Sequence, residues 1–195
     1  FTTIAEEQVS NPFFKHTTRS EFITAVLSEL SEPPQYFGHN AMMNKLGPPL
    51  VDYTAVAEPL KAEPPLTNAD NFYVIDIRDS KEFAQGHIPN SVNIGLRGRF
   101  ETWTGIMVPW GANVVVCGDD VEIQEALFRL HRIGYTARPL PFESWQKAGL
   151  PLSSNMLMPP EQLFEAMKTG NQPIIVDVRL PSEWMGLRIG TVLNL

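Results

Sequence analysis

A single cysteine, Cys117, stands in a chain of 195 residues. That excludes an internal disulfide, a CxxC redox pair and any cysteine-rich zinc site. Histidine is sparse as well: the four, at positions 16, 39, 87 and 131, form no HxH or HExxH grouping, and the sequence predicts no metal site. Basic residues are in deficit. The 15 Lys and Arg against 22 Asp and Glu leave a net charge of −7, which argues against nucleic acid and anionic membrane as partners. No window approaches the roughly 18 to 20 consecutive apolar residues of a membrane span. The first 30 residues also lack a basic end followed by an apolar run, so the expectation is a soluble, cytoplasmic chain. With 43% apolar residues the chain can bury a core, and its length allows one domain or two small ones.

Proline is what the sequence has in quantity, and its 17 copies punctuate the chain at Pro33-Pro34, Pro48-Pro49, Pro64-Pro65 and Pro159-Pro160. Before the first pair, Thr18-Arg19-Ser20-Glu21 has capping-box spacing. Phe22, Ile23, Val26, Leu27 and Leu30 follow at helical intervals, predicting a helix of about 12 residues. Ala41 to Leu46 runs into Gly47-Pro48-Pro49, a helix stop, so residues 1–50 read as a small helical tail. From residue 70 strands and helices alternate. Phe72 to Ile75 and Val114 to Cys117 are apolar runs of buried-strand type, and Ile123, Leu127, Leu130 and Ile133 then repeat at helical spacing up to Gly134. A helix from Glu161 to Lys168, closed by Gly170, precedes another apolar strand, Ile174 to Val176. The pattern is α/β with a mainly parallel sheet flanked by helices.

The chain also resembles itself. Val74 to Phe83 and Ile175 to Trp184 align without a gap at an offset of 101, pairing Asp76 with Asp177, Arg78 with Arg179 and Glu82 with Glu183; further on, Ile88 pairs with Ile189 and Asn93 with Asn194. The reading is one complete unit followed by a truncated second copy. Asp-x-Arg at the end of a strand puts both charges on one side of the chain, and Asp79-x-x-Glu82 has capping-box spacing. Asp76, Arg78, Glu82 and His87 are either a catalytic charge cluster or a salt-bridge and capping network that fixes a loop. The second is the commoner use of ion pairs at strand ends, and it is the expectation for Asp177, Arg179 and Glu183 too. Trp103, Trp110 and Trp145 are expected to be packing residues.

Asp76-Ile77-Arg78 through Glu82-Phe83 to Gly86-His87-Ile88-Pro89 resembles the amino-terminal signature of the rhodanese family, and Phe142 to Pro151 its carboxy-terminal signature. The resemblance spans 51–153, with 154–195 as a partial second domain. In the tail, Asn11-Pro12-Phe13-Phe14, the helix ending at Pro33-Pro34-Gln35-Tyr36-Phe37, and Met43 to Leu50 resemble the end of the metallo-β-lactamase-fold domain in persulfide dioxygenase–rhodanese fusion proteins. The resemblance implies sulfane-sulfur chemistry. It places iron in a lactamase-fold half outside these residues, leaves this fragment without a cofactor, and names small sulfur-containing substrates or an adjoining lactamase-fold domain as partners. A homo-oligomer is left open.

In that family a thiolate takes the outer sulfur of thiosulfate or a persulfide and hands it to cyanide or an acceptor thiol. Cys117 stands where a strand runs into a loop and helix, the position that favours a thiolate. The loop opposes it: Cys117-Gly118-Asp119-Asp120-Val121-Glu122 carries Glu122 where the family has an arginine. Asp119 and Asp120 are expected to raise the thiol pKa and to cap the helix. The next arginine, Arg129, lies 12 residues beyond Cys117. The leading reading is a catalytically degenerate module with a structural or interaction role. The alternative is an active sulfurtransferase using Cys117. In the second copy, the counterpart of Cys117 would fall beyond Leu195.

Overall fold

The computed structural model describes residues 2–28, 36–48, 50, 58, 59, 61, 62, 72–179, 181–186, 188, 189, 193 and 194. Leu30, the proline pairs 33–34 and 64–65, Pro49 and the domain start at 51 lie outside the described residues.

The elements in chain order are α1 (Ile4–Ser10), a 3-10 turn (Pro12–Lys15), α2 (Arg19–Ser28), α3 (Tyr36–Leu46), β1 (Phe72–Asp76), α4 (Ser80–Gln85), β2 (Val92–Asn93) and α5 (Phe100–Met107). They continue with β3 (Asn113–Gly118), α6 (Asp120–Arg132), β4 (Ala137–Pro141), α7 (Phe142–Lys147), α8 (Pro160–Thr169), β5 (Val176–Asp177), α9 (Pro181–Gly186) and β6 (Leu193–Asn194). The chain divides into two units, residues 1–78 with 88–151, and residues 79–87 with 152–195.

Among the described residues the first unit holds a four-stranded sheet in the order β2-β1-β3-β4, every pair parallel. Because strand side chains alternate, the sheet buries two faces. Ile75, Ile77, Val114 and Val116 meet Phe100, Ile123, Ala126 and Leu130 of α5 and α6 on one side. Val74, Val115 and Cys117 meet Ile88, Leu140, Phe142 and Trp145 on the other. Two buried faces explain why β1 and β3 read as unbroken apolar runs.

Two elements carry no legible signal. β4 contains Pro139 and Pro141, which a central strand would reject; it is tolerated at the sheet edge, where β3 is its sheet neighbour. α5 is short and includes Gly105 and two threonines, and the burial of Phe100 supports it instead of helix propensity. In the tail the predicted capping box is present: Glu21 N–H donates to Thr18 Oγ1 at 3.2 Å and Thr18 N–H to Glu21 Oε2 at 3.1 Å. The apolar residues of α2 stay largely in solvent, however, with Leu27 59% exposed. Of the three tryptophans expected to pack, Trp145 is buried, whereas Trp103 and Trp110 are about half exposed.

In the second unit α4 begins with the predicted reciprocal cap, Asp79 Oδ1 accepting from Lys81 N–H and Glu82 Oε2 from Asp79 N–H. His87 is buried, its ring stacked on Phe83 at 3.8 Å, with Nδ1 2.8 Å from the Phe83 carbonyl. Its backbone exchanges two hydrogen bonds with Ser153, so ring and backbone both help to hold this turn. α8 ends at Gly170, which takes the left-handed conformation with φ 73°. The predicted strand is displaced: β5 covers Val176–Asp177, pairing in parallel with β6, while Ile174 stands 84% exposed.

Candidate functional site

The carboxyl ends of parallel strands are where an open α/β sheet offers its crevice. Here β1 and β3 end side by side, with Asp76 in register with Cys117. Asp76, Cys117 and Arg78 therefore share the sheet face that α7 covers.

Cys117 is the penultimate residue of β3, not a loop residue, and its side chain has no exposed surface. It sits among Val74, Ile88, Val115, Leu140, Phe142 and Trp145. Burial pushes the thiol pKa far above the usual thiol range. The Asp76 carboxylate pushes it further up, and Arg78 offsets part of this. The sequence attributed the effect to Asp119 and Asp120; the structure assigns it to desolvation and Asp76 instead. Gly118, which follows, is required sterically, since a Cβ there would lie 2.6 Å from Ile77 Cγ1.

Asp119 occupies the N-cap of α6, but its side chain makes no capping hydrogen bond; only its carbonyl accepts, from Ile123 N–H at 2.8 Å. Asp120 and Glu122 lie in the first turn, where the helix dipole favours acidic side chains. The expected side-chain caps at Asp119 and Asp120 are thus replaced by a charge–dipole arrangement. Val121 is 85% exposed. The loop gathers no cation of its own.

The cation adjacent to the thiol is Arg78, and it is committed. Its Nη2 donates to Asp76 Oδ2 at 2.6 Å, its Nε to Oδ1 at 3.0 Å and its backbone N–H to Oδ1 at 3.0 Å. Its guanidinium carbon lies 3.4 Å from the centre of the Phe142 ring. Asn93 clips the same turn, its Nδ2 donating to the Asp76 and Arg78 carbonyls at 3.0 and 2.9 Å. Sequence reasoning brought Asp76 and Arg78 together correctly. It missed Phe142 as the ring under Arg78, which nothing local announces, whereas Asn93 had been visible only as a residue shared with position 194. Arg129 is also tied elsewhere, in a bidentate pair with Glu101 at 2.7 and 2.6 Å and to the Leu96 carbonyl at 2.7 Å. That pair lowers the Glu101 pKa and raises that of Arg129. Asp177 and Arg179 repeat the hydrogen-bond pattern of Asp76 and Arg78, at 2.7 Å for the shortest bond, but Arg179 is 44% exposed against 8% for Arg78. Glu183 lies in the first turn of α9. Among the described residues no three His, Cys, Asp or Glu side chains gather into a metal-binding group.

The rhodanese-like domain family matches residues 56–146. Those residues are a rhodanese-like domain. A metallo-β-lactamase from Staphylococcus aureus subsp. aureus COL shares the fold over 72% of this chain, with 23% identity and a TM-score of 0.57. This chain spans 40% of that protein's length. A rhodanese-related protein from Thermoplasma volcanium is 23% identical over 49% of this chain and 97% of its own, with a TM-score of 0.43. No curated protein matches the chain. The matched region of the rhodanese-like domain runs from ahead of β1 into α7, so it takes in both buried faces of the sheet, Cys117 and its α6 loop. Among the described residues no helix is long and apolar enough to cross a membrane.

Proposed function

We infer that the rhodanese-like domain has lost sulfur transfer and serves as a structural or interaction module of a protein that handles sulfane sulfur. The observation that carries this is the burial of Cys117 beneath Phe142 and Trp145, beside an arginine already bound to Asp76. Sulfur transfer needs an accessible thiolate that attacks the outer sulfur of thiosulfate, expels sulfite, and then yields that sulfur as thiocyanate to cyanide. Here burial opposes ionisation and access together.

The internal repeat supports a wider reading, in which the second unit begins another copy of the same fold. β5 pairs with β6 through Val176 with Leu193 and Asp177 with Asn194, while β1 pairs with β2 through Ile75 with Val92 and Asp76 with Asn93. Both pairings are parallel, and both partners sit at the constant offset seen in the sequence. In this reading any iron belongs to an adjoining lactamase-fold domain, and small sulfur compounds or that domain are the partners.

The test is thiocyanate production from thiosulfate and cyanide by the intact chain beside Cys117→Ala. No difference between the two is expected. Turnover that vanishes in the alanine variant would establish the rival reading, an active sulfurtransferase.

A further inference from the structure

Helix α3 lies outside the residues that match the rhodanese-like family, yet one of its faces is shaped for the core of the first unit. Tyr36, His39, Asn40 and Met43 recur at helical spacing and are its partly buried residues, whereas Phe37, Met42 and Leu46 are exposed. The inward residues meet two glycines and a tryptophan. The Tyr36 ring lies directly on Gly105, where a Cβ would stand 2.8 Å from Tyr36 Cγ and Cδ1. His39 stacks on Trp110 with ring centres 3.3 Å apart and 27° between planes. Met43 reaches Gly134, where a Cβ would stand 3.1 Å from its Cε and 2.9 Å from the Trp110 ring. Trp110 in turn meets Tyr135 edge-on at 4.8 Å.

The glycines are not explained equally by their own elements. Gly134 has φ +83° and ends α6, so the turn accounts for it. Gly105 lies inside α5, where glycine costs about 1 kcal/mol relative to alanine and no turn requires it. What Gly105 permits is the approach of Tyr36. The same contacts account for Trp110, which is only half buried and belongs to neither buried face of the sheet.

We propose that Gly105, Trp110 and Gly134 form a seat for α3, and that this seat fixes the tail to the rhodanese-like domain. Its occupant is a helix presenting an aromatic ring, an imidazole and a thioether at positions i, i+3 and i+7. The domain boundary then lies before Tyr36, and residues 36–46 count as an added element of the rhodanese-like domain.

Hydrogen exchange on the full chain tests this. In the wild type the amides of 40–46 are expected to be protected. Gly105→Val should speed their exchange by about tenfold or more while leaving β1 and β3 unchanged. Because a valine could also disturb α5, Tyr36→Ala with Met43→Ala attacks the seat from the helix side and should produce the same loss. Exchange of 40–46 at the unprotected rate in the wild type would overturn the proposal. Wild-type protection retained in both the Gly105→Val and the Tyr36→Ala/Met43→Ala proteins would do so equally.

Discussion

Arg78→Ala is expected to lower the unfolding free energy by about 3 to 5 kcal/mol, because it strands a fully buried carboxylate without its partner. Asp76 has no exposed surface and Arg78 only 8%, so solvent cannot take the place of the lost guanidinium. The substitution also removes the cation from the face of Phe142. At this chain length the loss corresponds to a fall of roughly 10 °C in melting temperature. Arg78→Lys should recover only part of it, since an ammonium can neither bridge both carboxylate oxygens in a planar fork nor stack on a ring. The second unit supplies an internal control. Arg179 makes the same bonds to Asp177 but stands 44% exposed, so Arg179→Ala should leave the urea midpoint close to that of the wild type. Equal effects of the two alanine substitutions, or an unmoved midpoint for Arg78→Ala, would contradict the argument that burial and not bond geometry sets the strength of the pair.

Cys117 is expected to resist alkylation in the native protein, reacting with iodoacetamide at pH 8 more than about tenfold slower than a free thiol. Two substitutions separate the causes. Glu122→Arg supplies the cation of active rhodaneses but leaves the apolar cluster intact, so the rate should remain within about twofold of the wild type. Phe142→Ala opens the cluster around the thiol and should raise the rate by about tenfold or more. The reverse order would restore the charges of the loop as the controlling factor.

The same thiol links stability to pH. Its folded pKa lies above the unfolded value of about 8.5. The native state therefore holds the proton when the unfolded chain releases it, and the stabilisation is complete below that value and declines as pH rises past it, by up to about 1.4 kcal/mol per pH unit. Cys117→Ala should flatten the stability profile between about pH 8.5 and 10. Above that range Tyr73 and Tyr135, whose pKa values burial also raises, act with the same sign.

The elements that could be read from the residues are those specified by near neighbours. The reciprocal caps at Thr18–Glu21 and Asp79–Glu82 close over three residues. The apolar runs of β1 and β3 and the helical spacing of Ile123 and Leu130 in α6 are periodicities within one element. The Asp76–Arg78 pair spans two residues of one strand end. β4 escaped because its prolines contradict a strand unless its edge position is known, and α5 escaped because its stability comes from burying Phe100 and not from propensity.

By itself, then, the sequence determined an α/β chain with parallel strands, a strand-end Asp-x-Arg pair, and a lone cysteine followed by an acidic loop. Tertiary structure decided what these features are worth. Cys117 is inert or available depending on Phe142 and Trp145, which come from α7 at the far side of α6 and β4. Two Asp-x-Arg pairs with the same bonds are expected to differ in strength because one is enclosed and the other faces water. The seat of α3 needs glycines from two separate elements, both distant in sequence from Tyr36. Solvent exclusion is a sum over neighbours that only folding brings together, and both thiol ionisation and ion-pair strength depend on it more steeply than on the identity of the groups.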